Sequence, residues 1–391
     1  MSFSISIVGL PNVGKSTLFN ALTNLQAQVA NYPFTTIEPN VGIVPVPDER
    51  LEKLAKLENA QQIIPTTIEF KDIAGLVKEA HKGAGLGNQF LSHIREVDAI
   101  VEVVRLFEDP NVAHVEGSVN PQRDLETLET ELILADLQLI EKKRESLKSA
   151  AKSGHHEDIL KAAVAQKYFE ALAAGKLAST VNLTAEEQSY FPEFPLLTNK
   201  PILYVANAKF NLDTKHFDLS PRPTGLRPLE GGRATLPAPG ERVSPFSLPP
   251  LARGGIEGEV VVLDAQLEAE LSLLSVEERK EYLTELSLPE SGLTKLIKAA
   301  YQTLNLVTFF TTVKPGEIRA WTCKVGTKAP QAAGIIHTDF EKGFIKAEVI
   351  NWQTLLDAGG YVPARERGLL RQEGKDYVVQ DGDVVHFRFN V

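Results

Sequence analysis

The alternation of hydrophobic and polar positions predicts a strand, a loop and a helix at the start of the chain. Residues 3–8 alternate and then run apolar, which is typical of a buried strand, and residues 17–22 have helical periodicity. Four more short apolar runs predict parallel strands at 67–70, 99–104, 202–205 and 259–263. Short strands separated by helical stretches are typical of a doubly wound, mostly parallel α/β sheet.

The pattern changes twice further along the chain. Between residues 122 and 200 two long, charged stretches with apolar residues three and four apart predict an antiparallel helical hairpin. Its charged face is either simply solvated or binds a partner. From residue 305 the pattern predicts a small mixed sheet crossed by a short helix at 331–337, with strands at 307–311, 318–322, 344–349 and 384–389.

These patterns divide the chain into three predicted domains. Residues 1–121 and 201–304 form the α/β domain, 122–200 the inserted hairpin and 305–391 the C-terminal domain. Residues 217–255 are rich in Pro, Gly and Arg and carry no periodicity, although a helix is expected between the strands at 202–205 and 259–263. A structureless insertion of this length is unusual inside a compact domain.

Composition excludes several classes of protein. The 391 residues are 43% hydrophobic and 24% charged, which is ordinary for a globular protein. The net charge of -10 gives no global case for nucleic-acid binding, although a local basic face would be compatible with it. The single cysteine, Cys323, excludes an intramolecular disulfide and a cysteine-based metal site, and we expect it to be buried and inert. The N-terminus lacks signal-peptide features and no apolar run could span a membrane, so we expect a cytoplasmic protein.

An eight-residue motif follows the first predicted strand: Gly9-Leu10-Pro11-Asn12-Val13-Gly14-Lys15-Ser16. In such a loop the glycines let the backbone approach phosphate oxygens, which the loop amides and the following helix N-terminus bind. Lys15 is predicted to reach the β- and γ-phosphates and to act in catalysis, and Ser16 to ligate Mg²⁺. A chance match on a surface turn is the alternative, but the strand and helix on either side favour phosphate binding. The predicted nucleotide-binding residues here are Asn12, Val13, Gly14, Lys15, Ser16 and Thr17.

Two further motifs predict the rest of a magnesium and γ-phosphate site. Asp72 ends a predicted strand in the sequence Asp-Ile-Ala-Gly, where a carboxylate can hold the Mg²⁺ shell and the Gly75 amide can contact the γ-phosphate. Thr36 lies in the segment 31–40, where a hydroxyl could complete the magnesium shell only while the γ-phosphate is present. The alternatives are a plain turn at 72–75 and an edge-strand threonine at position 36.

Hydrolysis and base recognition are less completely encoded. Leu76 occupies the place where related enzymes carry the glutamine that orients the attacking water, so another group must act or hydrolysis is slow. His114, in a polar loop, is either that catalytic group or a surface histidine without a role. Asn207 is predicted to bind nucleotide, but Phe210 stands where a guanine reader of the form Asn-Lys-x-Asp has its carboxylate. Guanine specificity is therefore unsupported.

Long motifs make the chain resemble the YchF group of Obg-like, ribosome-associated P-loop ATPases. Besides the phosphate loop, the resemblance is carried by Asn-Tyr-Pro-Phe at 31–34, Asp-Ile-Ala-Gly-Leu-Val at 72–77, His-Val-Glu-Gly-Ser-Val at 114–119, Thr-Glu-Leu-Ile-Leu-Ala-Asp-Leu at 130–137, Ala-Pro-Gln-Ala-Ala-Gly at 329–334 and Asp-Tyr-Val-Val-Gln-Asp-Gly-Asp at 376–383. It runs over nearly the whole chain.

The resemblance implies a fold and an activity. The fold is a P-loop G domain with an inserted coiled-coil hairpin and a C-terminal β-grasp domain of the TGS type. The implied activity is slow hydrolysis of ATP in preference to GTP, with binding to the ribosome or its large subunit. The motifs themselves predict Mg²⁺ as cofactor, and we expect no other metal. The resemblance also implies that His114 replaces the catalytic glutamine, which fits Leu76.

The chain departs from the family pattern around its base-reading site. Phe210 replaces a glutamate, Asp264 replaces a serine, and residues 208–256 form a Pro/Gly-rich segment where the family has a helix. One hypothesis is that this segment arises from two compensating frameshifts in the gene or in its reading. If the segment is native, we expect weakened base selectivity.

The sequence therefore predicts an ATP-dependent enzyme that acts as a nucleotide switch on the ribosome. The alternatives are a GTPase of the Obg-like class and a ribosome-binding adaptor with incidental turnover. A small-metabolite kinase would not explain the arrangement of Thr36 and Asp72.

Overall fold

The computed structural model describes residues 3–28, 40–73, 86–115, 117–210, 252–253, 256–257, 260–312 and 316–390. In chain order its strands are β1 (Phe3–Val8), β2 (Val41–Pro45), β3 (Gln62–Ile64), β4 (Thr67–Asp72), β5 (Ala99–Arg105), β6 (Ile202–Asn207), β7 (Ala252–Arg253), β8 (Ile256–Glu257), β9 (Val261–Leu263), β10 (Leu306–Thr311), β11 (Glu317–Lys324), β12 (Phe344–Asn351), β13 (Arg371–Glu373) and β14 (Asp383–Phe389).

The α-helices alternate with these strands in the first half of the fold and cluster later. They are α1 (Lys15–Gln28), α2 (Glu49–Leu57), α3 (Leu86–Glu96), α4 (Pro121–Ala150), α5 (His156–Ala173), α6 (Ala185–Gln188), α7 (Ala265–Leu271), α8 (Val276–Glu285), α9 (Gly292–Thr303), α10 (Ala329–Ile336), α11 (Thr338–Lys342), α12 (Trp352–Ala358) and α13 (Tyr361–Glu366). In the described residues, no helix combines the length and apolar composition that a bilayer crossing requires.

The first sheet has the strand order β2-β4-β1-β5-β6-β9, and only β2 runs antiparallel to its neighbour. This is the doubly wound, mostly parallel sheet that the sequence predicts. Leu18 and Leu22 of α1 are fully buried in the same core as Ile5 and Ile7 of β1. The carboxyl ends of β1, β4, β5, β6 and β9 meet at one edge, where ligands bind in open α/β sheets.

The helical hairpin begins in this core. The first half of α4 packs on the sheet through Leu128 and Leu132, and its second half packs against α5 through Ile140. Because only residues 151–155 separate the two helices, they form an antiparallel pair, as predicted. A helix of 30 residues is about 45 Å long, so α4 extends well beyond the sheet.

A buried carboxylate fixes the point where the hairpin returns to the sheet. Asp136 of α4 accepts hydrogen bonds from the Leu197 and Thr198 amides at 2.9 and 2.8 Å and from the Thr198 hydroxyl at 2.8 Å. Burial raises the pKa of Asp136, and these hydrogen bonds act against that rise. The contact holds the chain just before β6, which carries part of the candidate site.

The second sheet has the order β13-β12-β14-β10-β11-β3, and α10 packs on it. The predicted C-terminal strands and helix are therefore present. Two of its strands were not predicted from the sequence. One is β13, which pairs antiparallel with β12, and the other is β3, which comes from the N-terminal half of the chain and pairs in parallel with β11. Leu51 and Leu54 of α2 are buried in the same cluster as Phe310 and Ile318, so the segment 49–64 packs with the C-terminal sheet.

Two other expectations concern single segments. Cys323 is buried in the C-terminal sheet, as expected, and burial raises the pKa of its thiol to about 11. Its inertness stays a prediction. The helix expected between β6 and β9 falls largely on residues 211–251, which lie outside the described residues.

Candidate nucleotide-binding site

The loop between β1 and α1 has the backbone shape of an anion-binding turn. Asn12 and Gly14 have φ angles of 65° and 99°, and a run of amides with alternating handedness makes a concave donor surface. A Cβ at Gly14 would collide with the Asn207 side chain, so only glycine fits there. The Gly14 carbonyl also accepts the first helical bond of α1, from Leu18, at 3.0 Å. The predicted phosphate loop thus leads directly into a helix N-terminus.

A cation, a hydroxyl and a carboxylate converge beside this loop. The Lys15 ammonium donates to the Leu10 carbonyl at 2.8 Å, and the Ser16 hydroxyl donates to the carboxyl group of Asp72 at the end of β4. Burial lowers the pKa of Lys15, and the charge of Asp72 partly restores it. Burial raises the pKa of Asp72, and the Ser16 hydrogen bond and the Lys15 charge act against that rise. Parallel pairing places Asp72 opposite Ile7, one residue before the end of β1.

The oxygen atoms of Ser16 and Asp72 fit a magnesium ion. Mg²⁺ prefers hard oxygen ligands and is usually held by one or two protein side chains, with phosphate and water completing the shell. In the described ranges, no group of three His, Cys, Asp or Glu side chains could hold a metal ion alone. Ser16 and Asp72 therefore supply the kind of oxygen donors that Mg²⁺ takes in proteins.

A cavity of about 420 Å³ opens next to the loop, which is large enough for a nucleotide. Its phosphate end is lined by Asn12, Gly14, Lys15, Ser16 and Thr17, and its other end by Phe107, Asp109, Val112, Asn207, Lys209, Asp264, Ala265 and Gln266. The second group follows β5, β6 and β9, so the sheet brings together residues that are far apart in sequence. We refer to these two groups as the phosphate end and the base end.

Asn207 joins the two ends. Its side-chain amide donates to the Val13 carbonyl at 2.9 Å and its side-chain oxygen accepts from the Ala265 amide at 3.0 Å. The residue is only 4% exposed. Asn207, predicted to bind nucleotide, lines the cavity and also holds the phosphate loop against the loop after β9.

The base end and its surroundings include residues that were not predicted from the sequence. Arg105, fully buried, donates to the carbonyls of Phe107 at 2.8 Å and Val112 at 3.0 Å and so shapes the loop after β5. Its guanidinium lies 4.5 Å from the centre of the Phe107 ring. Lys209 pairs with Asp109 at 3.5 Å across the cavity. An arginine ending a buried strand and followed by an aromatic residue was the only local signal of this arrangement.

Position 210 carries no carboxylate, and the acidic group near it is Asp264, which comes from a different loop. The Phe210 amide donates to Asp264 Oδ2 at 2.9 Å, and Phe210 itself is 43% exposed. Asp264 therefore brings an acidic group to the base end, close to the position where Phe210 lacks one.

His114 does not line the cavity in the described part of the chain. Its Nε2 lies 3.0 Å from Asp124 Oδ2 near the start of α4, and the two side chains are 5% and 1% exposed. Arg123 holds the other oxygen of Asp124 at 2.9 Å. The loop still touches the phosphate loop, because the Asn12 side chain donates to the Ala113 carbonyl at 3.1 Å. The catalytic assignment of His114 stays a prediction.

Three other predicted positions, Thr36, Gly75 and Leu76, lie outside the described residues. Their assignments as magnesium ligand, γ-phosphate contact and replacement for glutamine stay predictions.

Comparison with known proteins gives the family to which the chain belongs. A family model described as a 50S ribosome-binding GTPase matches residues 4–149, and a model named YchF-GTPase_C, described as a protein of unknown function, matches residues 306–390. Two relatives called ribosome-binding ATPase YchF are similar to the chain over 100% of both lengths. One, from Bacillus subtilis, is 48% identical, and the other, from Escherichia coli O157:H7, is 46% identical.

Solved structures give the same result. The Schizosaccharomyces pombe YchF GTPase superposes with a TM-score of 0.78 at 33% identity, covering 99% of this chain and 98% of that one. A GTP-binding protein from Pyrococcus horikoshii has a TM-score of 0.56 at 17% identity and shares the fold. These matches confirm the resemblance drawn from the motifs, and the chain belongs to the YchF family.

Proposed function

We propose that this chain is a magnesium-dependent P-loop ATPase that acts as a nucleotide switch on the ribosome. The observation that carries the proposal is the convergence of the Lys15 ammonium, the Ser16 hydroxyl and the Asp72 carboxylate beside a concave amide loop. The names of the full-length relatives, ribosome-binding ATPase, support both ATP and the ribosome. A cytoplasmic location follows from the proposed partner.

Each residue would have a distinct task. The loop amides and Lys15 would bind the β- and γ-phosphate oxygens, and Ser16 and Asp72 would hold Mg²⁺. The ion would neutralise charge that develops on the phosphate oxygens. Hydrolysis would form a bond from a water oxygen to the γ-phosphorus and break the bond from that phosphorus to the β–γ bridging oxygen, with ADP as the leaving group and the proton of the water released to solvent. Water exclusion and positioning around that phosphorus are the protein's contribution.

His114 would act only after a local rearrangement. Its ring is paired with Asp124 and lies outside the cavity wall. For the ring to orient an attacking water, it would have to leave Asp124 and turn past the Asn12–Ala113 contact. We therefore expect slow basal turnover, because the arrangement that the structure holds is not the reactive one.

Phosphate release from Mg²⁺-ATP, measured with and without purified ribosomes, tests the proposal. We expect slow release that ribosomes change, that chelation of magnesium abolishes, and that Lys15→Ala lowers at least about a hundredfold. Lys280→Ala, an exposed lysine on α8, is the matched control and should behave like the unaltered chain.

The alternatives give different outcomes in the same assay. Ribosome binding without any phosphate release would favour an adaptor with incidental turnover. Faster release from GTP than from ATP would favour a GTPase of the Obg-like class. Absence of magnesium-dependent binding of either nucleotide would contradict the proposal altogether.

A further inference from the structure

Asp264 is one of two acidic residues at the base end of the cavity, and the other, Asp109, is paired with Lys209. Asp264 directly follows β9, caps the N-terminus of α7 and lines the cavity together with Lys209 and Gln266. The phosphate end is defined by the loop, so a bound nucleotide must direct its base toward these residues.

The hydrogen bonds of Asp264 leave little acceptor capacity. Its Oδ1 accepts from the amides of Gln266 at 2.9 Å and Leu267 at 3.2 Å, and its Oδ2 accepts from the Phe210 amide at 2.9 Å. Each carboxylate oxygen offers two acceptor sites. Within the described part of the chain, Oδ1 is therefore fully used and one acceptor site remains on Oδ2.

One acceptor site distinguishes the two purines. Guanine offers two parallel donors, N1–H and the 2-amino group, which a carboxylate reads only when both of its oxygens are open. Guanine also carries an acceptor oxygen at position 6, which an acidic group repels. Adenine carries an amino group at position 6, which needs a single acceptor.

We propose that Asp264 selects adenine over guanine by accepting a hydrogen bond from the 6-amino group of the base. This inference rests on the proposed function, because it assumes a nucleotide bound with its phosphates on the loop. It assigns to the loop after β9 a discrimination that Phe210 cannot provide. A hydrogen bond to a charged group is worth enough to change affinity about tenfold or more when it is removed.

Equilibrium binding of Mg²⁺ complexes of ATP, GTP and purine riboside triphosphate to the full chain tests the inference. Purine riboside triphosphate lacks the 6-amino group and otherwise matches ATP. We expect the unaltered chain to bind ATP about tenfold more tightly than either of the other two. In Asp264→Ser the advantage of ATP over purine riboside triphosphate should largely disappear. Serine caps helices nearly as well as aspartate, so α7 keeps its N-cap in this variant.

The outcomes separate the inference from the proposed function. An unchanged ratio of ATP to purine riboside triphosphate affinity in Asp264→Ser, with magnesium-dependent binding intact, would overturn the inference alone and leave a capping role. Loss of affinity for all three nucleotides by the same factor would also overturn it. No magnesium-dependent binding by the unaltered chain would overturn the proposed function instead. A thermal melt of the variant checks that the fold is kept.

Discussion

The two ends of the cavity are built in different ways. The phosphate end comes from one continuous stretch, the loop and first turn of α1, and Asp72 of the neighbouring strand β4 lies beside it. The base end is assembled from three loops that follow β5, β6 and β9 and that only the sheet brings together. One end is therefore a local motif, and the other is a tertiary arrangement.

The two ends also differ in the burial and hydrogen bonding of their polar groups. At the phosphate end, burial disfavours the charged forms of both Lys15 and Asp72, so the site is costly to maintain without a charged ligand. At the base end, buried groups are satisfied within the protein, as Arg105 and Asn207 are by backbone partners. We infer that the phosphate end contributes most of the affinity for the nucleotide, and that the base end shapes the cavity and contributes selectivity for the base.

The largest expected effect is at the phosphate end, in Asp72→Asn. The variant should lose the magnesium dependence of ATP binding, about a hundredfold in affinity, because a neutral amide is a poor magnesium ligand. Titration calorimetry with and without Mg²⁺ measures this. Glu281→Gln, an exposed carboxylate on α8, is the control and should bind as the unaltered chain does.

Without nucleotide, Asp72→Asn should be more stable than the unaltered chain. The direction of the pKa shift of Asp72 determines how this difference in stability depends on pH. The pKa of Asp72 is raised in the fold above the ordinary value of 3.8. Its contribution to the free energy of unfolding is therefore fully present below that ordinary value and is lost as pH rises through the raised pKa. Asp72→Asn should have the higher Tm at about pH 7, and the gap should narrow as pH falls. A gap that widens toward low pH would contradict this assignment.

The contact between the two ends predicts the next largest effect. Asn207→Ala leaves the Val13 carbonyl and the Ala265 amide without their side-chain partner. Each such buried group costs about 1–3 kcal/mol, so the free energy of unfolding should fall by about 2 kcal/mol or more. ATP affinity should fall about tenfold, because the phosphate loop loses its support from β6.

Asn24→Ala is the matched control for that variant. Asn24 also joins distant segments, since its side chain donates to the Ser272 hydroxyl at 3.1 Å, but it does not line the cavity. Chemical denaturation and calorimetry should show lower stability with nearly unchanged ATP affinity. Equal losses of affinity in both variants would mean that Asn207 acts only through general stability.

The same contrast explains what the sequence predicted. The strand β1, the phosphate loop and Asp72 were predictable because the signal of each lies within a few neighbouring residues. Asn207 was predicted as a nucleotide contact, but its bonds to Val13 and Ala265 depend on strand order and were not predictable. Arg105 and Phe107 were not predicted for the same reason. The role of an arginine at the end of a strand depends on the conformation of the following loop, which the local sequence pattern does not show.

Segments outside the site follow the same rule. The edge strand β3 is three residues long, and its partner β11 comes from the C-terminal part of the chain. The local sequence pattern therefore did not predict this strand. His114 was singled out from its polar loop, but its pairing with Asp124 arises where α4 packs beside that loop. Long elements with clear periodicity, such as α4 and α5, were predicted because their own sequence determines them.

The smallest expected effect concerns a wall of the base end. The centre of the Phe107 ring lies 4.5 Å from the Arg105 guanidinium and 5.7 Å from the Lys209 ammonium, and the ring lines the cavity. Base–aromatic stacking tolerates any base, because every base has a π-face. Phe107→Leu keeps apolar surface, so we expect ATP and GTP affinities to fall together, by about threefold.

Calorimetry with both nucleotides tests this, and Phe191→Leu, an exposed aromatic residue in the hairpin region, is the control. The ratio of the two dissociation constants is the informative quantity. A constant ratio in Phe107→Leu, beside a changed ratio in Asp264→Ser, would divide the base end into a wall that only packs and a carboxylate that discriminates. A changed ratio in Phe107→Leu would mean that the ring also positions the edge of the base. Selectivity between ATP and GTP would then depend on all three loops of the base end and not on one acidic side chain.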